Sequence, residues 1–150
     1  YRKALDDFME SEEKYRQNME WYKSEIGKCT YRQFTTGFYF GKPDENTQIY
    51  DSNTYVNEYV YLGIVDTVTE CEAEGEKKVL ARIEQRNKFC VGDQIEIMKP
   101  NGENVAVLVE AMYDGDMNPV ESCPHSKQTI FVKLSVQPEQ YDILRVRNNA

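Results

Sequence analysis

His125, the one histidine of the chain, stands two residues after Cys123, and nowhere else do a general base and a thiol nucleophile lie so close in sequence. Side chains two apart meet only across a tightly fixed loop, and no third group is in place to orient the imidazole. Cys123-Pro-His-Ser126 therefore reads as a turn between strands and not as a nucleophile with its base. Asp114 and Asp116 flank Gly115, but the alternating ligands and closing glutamate of a calcium loop are missing, so a turn is expected there too. Neither a Gly-x-Ser-x-Gly elbow nor a Gly-Lys-Ser/Thr phosphate loop occurs. The cysteines, Cys29, Cys71, Cys90 and Cys123, include no Cys-x-x-Cys pair, which argues against zinc or iron-sulfur ligation within this chain. They are expected as free thiols, behaving as small buried hydrophobes. No catalytic residue and no metal ligand is assigned.

Binding chemistry is better represented. The net charge is -8, yet Lys77 to Lys88 carries five bases in twelve residues, whereas Asp44 to Glu76 has nine acids and no base, and Asn101 to Cys123 five acids and no base. On a strand, Lys78, Arg82, Arg86 and Lys88 would share one face, with Val79, Ala81, Ile83 and Gln85 on the other. Two readings stand: a solvent-facing strand side with Glu84 in its midst, or a cationic strip that meets RNA phosphate or a carboxylate. Phe38-Tyr-Phe40, bracketed by Gly37 and Gly41, is either a seal at the bottom of a core or a stacking platform for bases.

The elements that must position these groups follow from periodicity. One domain is expected of 150 residues. Leu5, Phe8, Tyr15, Met19, Tyr22 and Ile26 recur in threes and fours, interrupted at Glu12, which predicts an amphipathic helix, or two shorter ones, from Ala4 to about Lys28, with Gly27 as its stop. Alternating or β-branched runs at 59–68, 78–85, 94–98, 105–112, 129–134 and 143–146 predict six strands separated by turn signals. Six short strands at this spacing favour a closed barrel, because closure removes exposed edges. The fold expected is mainly β: an N-terminal helical segment, 1–28, followed by a small six-stranded antiparallel barrel domain, 29–150. No apolar run is long enough to span a bilayer, and the polar start lacks the core of a secretory signal, so no membrane partner and a cytoplasmic location are expected. The chain opens on tyrosine, which reads as a trimmed piece of a longer protein or a processed one.

Three segments in order, Arg32-Gln-Phe-Thr-Thr-Gly-Phe-Tyr-Phe-Gly-Lys-Pro-Asp44, Ile83-Glu-Gln-Arg-Asn-Lys-Phe89 and Val91-Gly-Asp-Gln-Ile-Glu-Ile97, resemble the C-terminal domain of the collagenase-like peptidases, family thirty-two of unknown catalytic type. The likeness runs from about Ile26 to Arg147. Gly63-Ile-Val65, Phe89 to Asp93 and Tyr141 to Leu144 also resemble the barrel of translation factors such as the second domain of elongation factor Tu, an analogy of fold that carries no function.

The family resemblance implies that chemistry resides in a larger N-terminal domain absent here, whose cysteines hold an iron-sulfur cluster. Members include proteins needed for hydroxylation of the wobble uridine of tRNA, while older labels read peptidase or collagenase. It implies for this chain a noncatalytic accessory module that positions substrate, tRNA or protein, with its own catalytic domain as partner. The contact candidates are Arg32, Phe38, Tyr39, Arg82, Arg86, Asn87 and Lys88. The alternative is an interaction module that docks on that domain or on another subunit and touches no substrate.

Overall fold

The computed structural model describes residues 1–29, 38–42 and 58–148. Three short helices, α1 (Arg2–Glu10), α2 (Glu12–Gln17) and α3 (Met19–Gly27), precede six strands, β1 (Tyr59–Ala73), β2 (Glu76–Gln85), β3 (Gln94–Met98), β4 (Asn104–Tyr113), β5 (Thr129–Leu134) and β6 (Ile143–Arg147). All pairings are antiparallel, and the strands close in the order β1-β2-β5-β4-β3-β6. Closure pairs both edges of the ring, whereas the hairpin arm beyond it, residues 67–73 with 76–80, is paired only within itself among the described residues. The six strands lie where periodicity places them.

Alternation fills the interior. Ile95 and Ile97 of β3, Val107 and Val109 of β4, and Ile130, Val132 and Leu134 of β5 point inward with Leu62, Val65, Ala81, Ile83, Met112 and Leu144. Phe89 and Cys123 plug one end, where the Cys123 thiol donates to the Phe89 carbonyl. Side chains rather than a ligand space occupy this barrel, as is usual at this size.

Turn chemistry sets the register. β1 and β2 join through Glu74 and Gly75, both at positive φ, and Ala73 pairs with Glu76. That is the two-residue hairpin whose twist matches its strands. At the entry to β3, Gly92 sits at φ +90 and Asp93 Oδ2 accepts from the Cys90 backbone at 2.8 Å, as Val91-Gly-Asp93 predicts. The Asp114 carboxylate accepts from the backbones of Asp116 and Asn118, each at 2.9 Å, and these bonds hold it below the usual carboxylate range. Asp114 and Asp116 thus make a turn.

Two expectations need correction. The N-terminal segment is broken into three helices, because Ser11 leaves helical geometry and uses its side chain to cap α2 through the Lys14 backbone at 3.1 Å. The second break falls at Asn18. In β2 the burial predicted for Val79 belongs to Leu80: Val79 is exposed and Leu80 fully buried. Leu80 lies on the outer face of the barrel, where Ala73, Tyr113 and Phe131 form a second small core. Apolar neighbours on both faces there override strict alternation.

Candidate functional site

Residues 82–88 leave β2 at the rim of the barrel, and their exit is tightly built. The Arg86 and Asn87 backbones both donate to the Leu62 carbonyl, at 2.8 and 3.3 Å. The Asn87 side-chain amide donates to the Tyr61 carbonyl at 2.7 Å. Beneath them the buried Gln85 amide donates to the carbonyls of Asn87 at 2.9 Å and Cys123 at 3.1 Å. Gln85 therefore ties the end of β2 to the loop that enters β5.

Gly63 permits this closeness. A Cβ there would lie 2.6 Å from the Glu84 carbonyl oxygen and 2.9 Å from Ile83 Cγ2.

Outside this frame Arg82, Arg86 and Lys127 line a shallow groove of about 390 Å³ together with Asp66, Glu84 and Gln128. β2 pairs with β5 through Glu84↔Thr129, and continuing that register sets Arg86 across from Lys127. The Lys127 backbone donates to the Gln85 carbonyl at 3.1 Å. Arg82 Nε stands 3.4 Å from Asp66 Oδ2, and Arg86 pairs with Glu84. Both pairs are largely solvated, so each arginine can exchange its carboxylate for another anion at little cost. Lys88 and Lys127 are exposed, and neither forms an ion pair among the described residues.

The strip proposed from sequence is therefore shorter than expected at one end and wider at the other. Lys78 is withdrawn from it: its ammonium bonds the Tyr113 hydroxyl at 3.0 Å, pairs with Glu74, and lies over the Tyr113 ring. The bonds to Glu74 and then Tyr113 raise its pKa well above that of a free lysine. Asn87 spends its side-chain donor on the frame. Lys127 was not legible, since only the pairing of β2 with β5 brings it beside Arg86.

Arg32 lies outside the described residues. Phe38 and Tyr39, with Phe40, are 80, 85 and 82 % exposed, which corrects the reading that they seal the core. Tyr39 and Phe40 meet edge to face at 5.0 Å, and neither packs on the barrel core.

Among the described residues no acid–base or nucleophilic pair is assembled around the one histidine. Cys123 is fully buried, and burial pushes its thiol up, whereas His125 is exposed. The cysteines run from buried Cys123 through half-buried Cys71 and Cys90 to exposed Cys29, so the expected burial holds for Cys123 alone. All four are free thiols. Among the described residues no group of three or more His, Cys, Asp or Glu side chains is gathered to hold a metal ion, and no helix is long and apolar enough to cross a membrane.

A closed six-stranded barrel with a rim groove of solvated cations defines a small β module whose described residues gather no metal-binding cluster. The chain belongs to peptidase family U32: the profile described as the Peptidase family U32 C-terminal domain matches residues 57–145. It is 28% identical over 134 residues to the tRNA hydroxylation protein P1 of Bacillus subtilis (strain 168), a match that covers 89% of this chain and 30% of that protein. The chain thus spans under a third of that relative's length. Two crystal structures of the C-terminal domain of a Geobacillus thermoleovorans protein assigned to the U32 peptidases also match. One is 26% identical with a TM-score of 0.47, covering 58% of this chain and 99% of that one. The other is 25% identical with a TM-score of 0.48, covering 59% and 92%.

Proposed function

We propose that this chain is a noncatalytic accessory module of a U32 family protein and that its rim groove positions tRNA for chemistry carried out elsewhere in the polypeptide. The observation that carries this reading is the convergence of Arg82 on β2, Arg86 just past its end and Lys127 in the turn before β5, distant in sequence, with exposed Lys88 following Arg86. Guanidinium and ammonium groups suit phosphate oxygens, and contacts of that kind fix register and orientation without reading sequence. tRNA is preferred over a protein substrate because the relative named above is a tRNA hydroxylation protein. The exposed aromatics at 38–40 are available to stack on unpaired bases. An overall charge of -8 opposes the approach of RNA, so the contact is local and salt-sensitive.

Titration of the chain with unmodified tRNA at low and moderate salt tests the reading. The variant Arg82→Ala/Arg86→Ala/Lys127→Ala is expected to lose most of the affinity, and the slope of log K against log salt is expected to fall by roughly 0.7 to 0.9 per phosphate contact removed. Equal affinity in the variant would refute the groove as the site.

A further inference from the structure

We propose that the outward apolar face of the helical segment is the seat of the domain that precedes this one in U32 family proteins. This inference rests on the accessory-module reading above. Helix α1 is amphipathic in the inverted sense. Its buried residue is Asp7, 4 % exposed, whereas Leu5, Phe8 and Met9 are 63, 51 and 82 % exposed and Tyr1 is wholly so. Those four follow the i, i+4, i+7, i+8 spacing of one helix face.

The orientation is built in, because Asp7 is held by the Tyr22 hydroxyl at 2.6 Å, Asn18 at 2.9 Å and Lys3 at 3.0 Å. A nine-residue helix has little stability of its own. Here polar bonds fix it with its apolar side outward, which monomeric soluble domains rarely do over a contiguous patch.

The face also leads into a cavity of about 480 Å³ between the helices and the β3–β4 turn, floored by Met19, Ile26, Met98 and Pro100. Tyr1 belongs to both face and cavity, and Tyr15, in edge contact with Phe8 at 5.6 Å, joins them.

Charge and chain length indicate the occupant. On α1 and α2 the acids Asp6, Asp7, Glu10, Glu12 and Glu13 outnumber the bases Arg2, Lys3, Lys14 and Arg16, so this segment offers a phosphate backbone no net positive charge. An apolar protein surface fits; RNA does not. The matching profile describes a C-terminal domain, and the relative it resembles extends well beyond the matched 30%, so such proteins carry a larger part of the same polypeptide able to supply that surface.

Hydrogen–deuterium exchange tests this on a U32 family protein in which this sequence follows its preceding domain, compared with the chain alone. Peptides from residues 1–28 are expected to exchange about tenfold more slowly in the longer protein. Leu5→Glu/Met9→Glu, which alters only exposed side chains, is expected to restore the faster rate while the barrel strands stay protected. Equal exchange in the two forms would overturn the inference. So would a dimer of the isolated chain that the same variant dissociates, because the face would then belong to a second copy. Loss of tRNA affinity in Leu5→Glu/Met9→Glu would overturn it as well by assigning the face to RNA. Failure of the groove variant to lose tRNA would leave this inference standing and remove only the RNA contact.

Discussion

Asp7 concentrates the physical chemistry of the helical segment. The bond from the Tyr22 hydroxyl, working against burial and aided by Lys3 and Asn18, holds its carboxyl far below the usual aspartate range. Burial first, and then the bond to Asp7, raises Tyr22 to about 12. The two shifts bracket a pH window. Below about pH 4 the unfolded segment takes up a proton that folded Asp7 refuses, so the stability from Asp7 is lost as pH falls. Above about pH 10 the unfolded segment releases the Tyr22 proton while the folded one keeps it, so stability is lost again as pH rises toward 12. Trp21, the only tryptophan, packs on Tyr22 at 5.7 Å and reports the event. Its emission is expected to stay constant across the window and to shift at both limits. Asp7→Asn should show the shifted spectrum already at neutral pH, and an unchanged spectrum in that variant would contradict the clamp.

Among elements, the strands were legible because each has its own turn chemistry, and what the sequence could not show was what they lie against. Val79 and Leu80 exchange roles because Tyr113 and Phe131 arrive on the outer face from β4 and β5. Lys127 joins Arg86 for the same reason, through a pairing between residues more than forty positions apart. The helix breaks follow from local capping at Ser11, which periodicity alone does not weigh against the continuous apolar pattern. Gly63 was visible only as one residue of a strand, yet a Cβ there would run into the Glu84 carbonyl and Ile83 of β2, beside the register shift of β1 against β6 between Tyr61 and Gly63. Gly63→Ala should destabilise the barrel by about 1–3 kcal/mol, because the atoms it meets are backbone and a packed Ile83 that cannot swing aside. Chemical denaturation measures this, and a neutral result would show that the hairpin can open without cost.

At the scale of the whole molecule, the helical segment and the barrel are joined by a cluster centred on Arg145. Arg145 Nε donates to Glu96 at 2.6 Å and its terminal nitrogen to Glu25 at 3.2 Å, with the Tyr59 ring 4.9 Å from the guanidinium. Burial would raise Glu25, but bonds from Lys28, Asn104 and Arg145 outweigh it and keep the carboxylate ionised. Gly102 adds a close approach, since a Cβ there would lie 2.7 Å from Lys3 Cδ and 3.2 Å from Trp21. The molecule so joined presents two unlike surfaces, a cationic rim groove on β2 and β5 and an apolar face on α1. We propose the first as the contact for tRNA and the second as the contact for the neighbouring domain.

The most direct measurement is amide chemical-shift mapping of the isotopically labelled chain against unmodified tRNA at low salt. The account predicts saturable shifts confined to residues 82–88 and 126–129 and their neighbours on β1, fading as salt rises. Shifts confined to the helical segment, or none at all with the barrel folded, would contradict it.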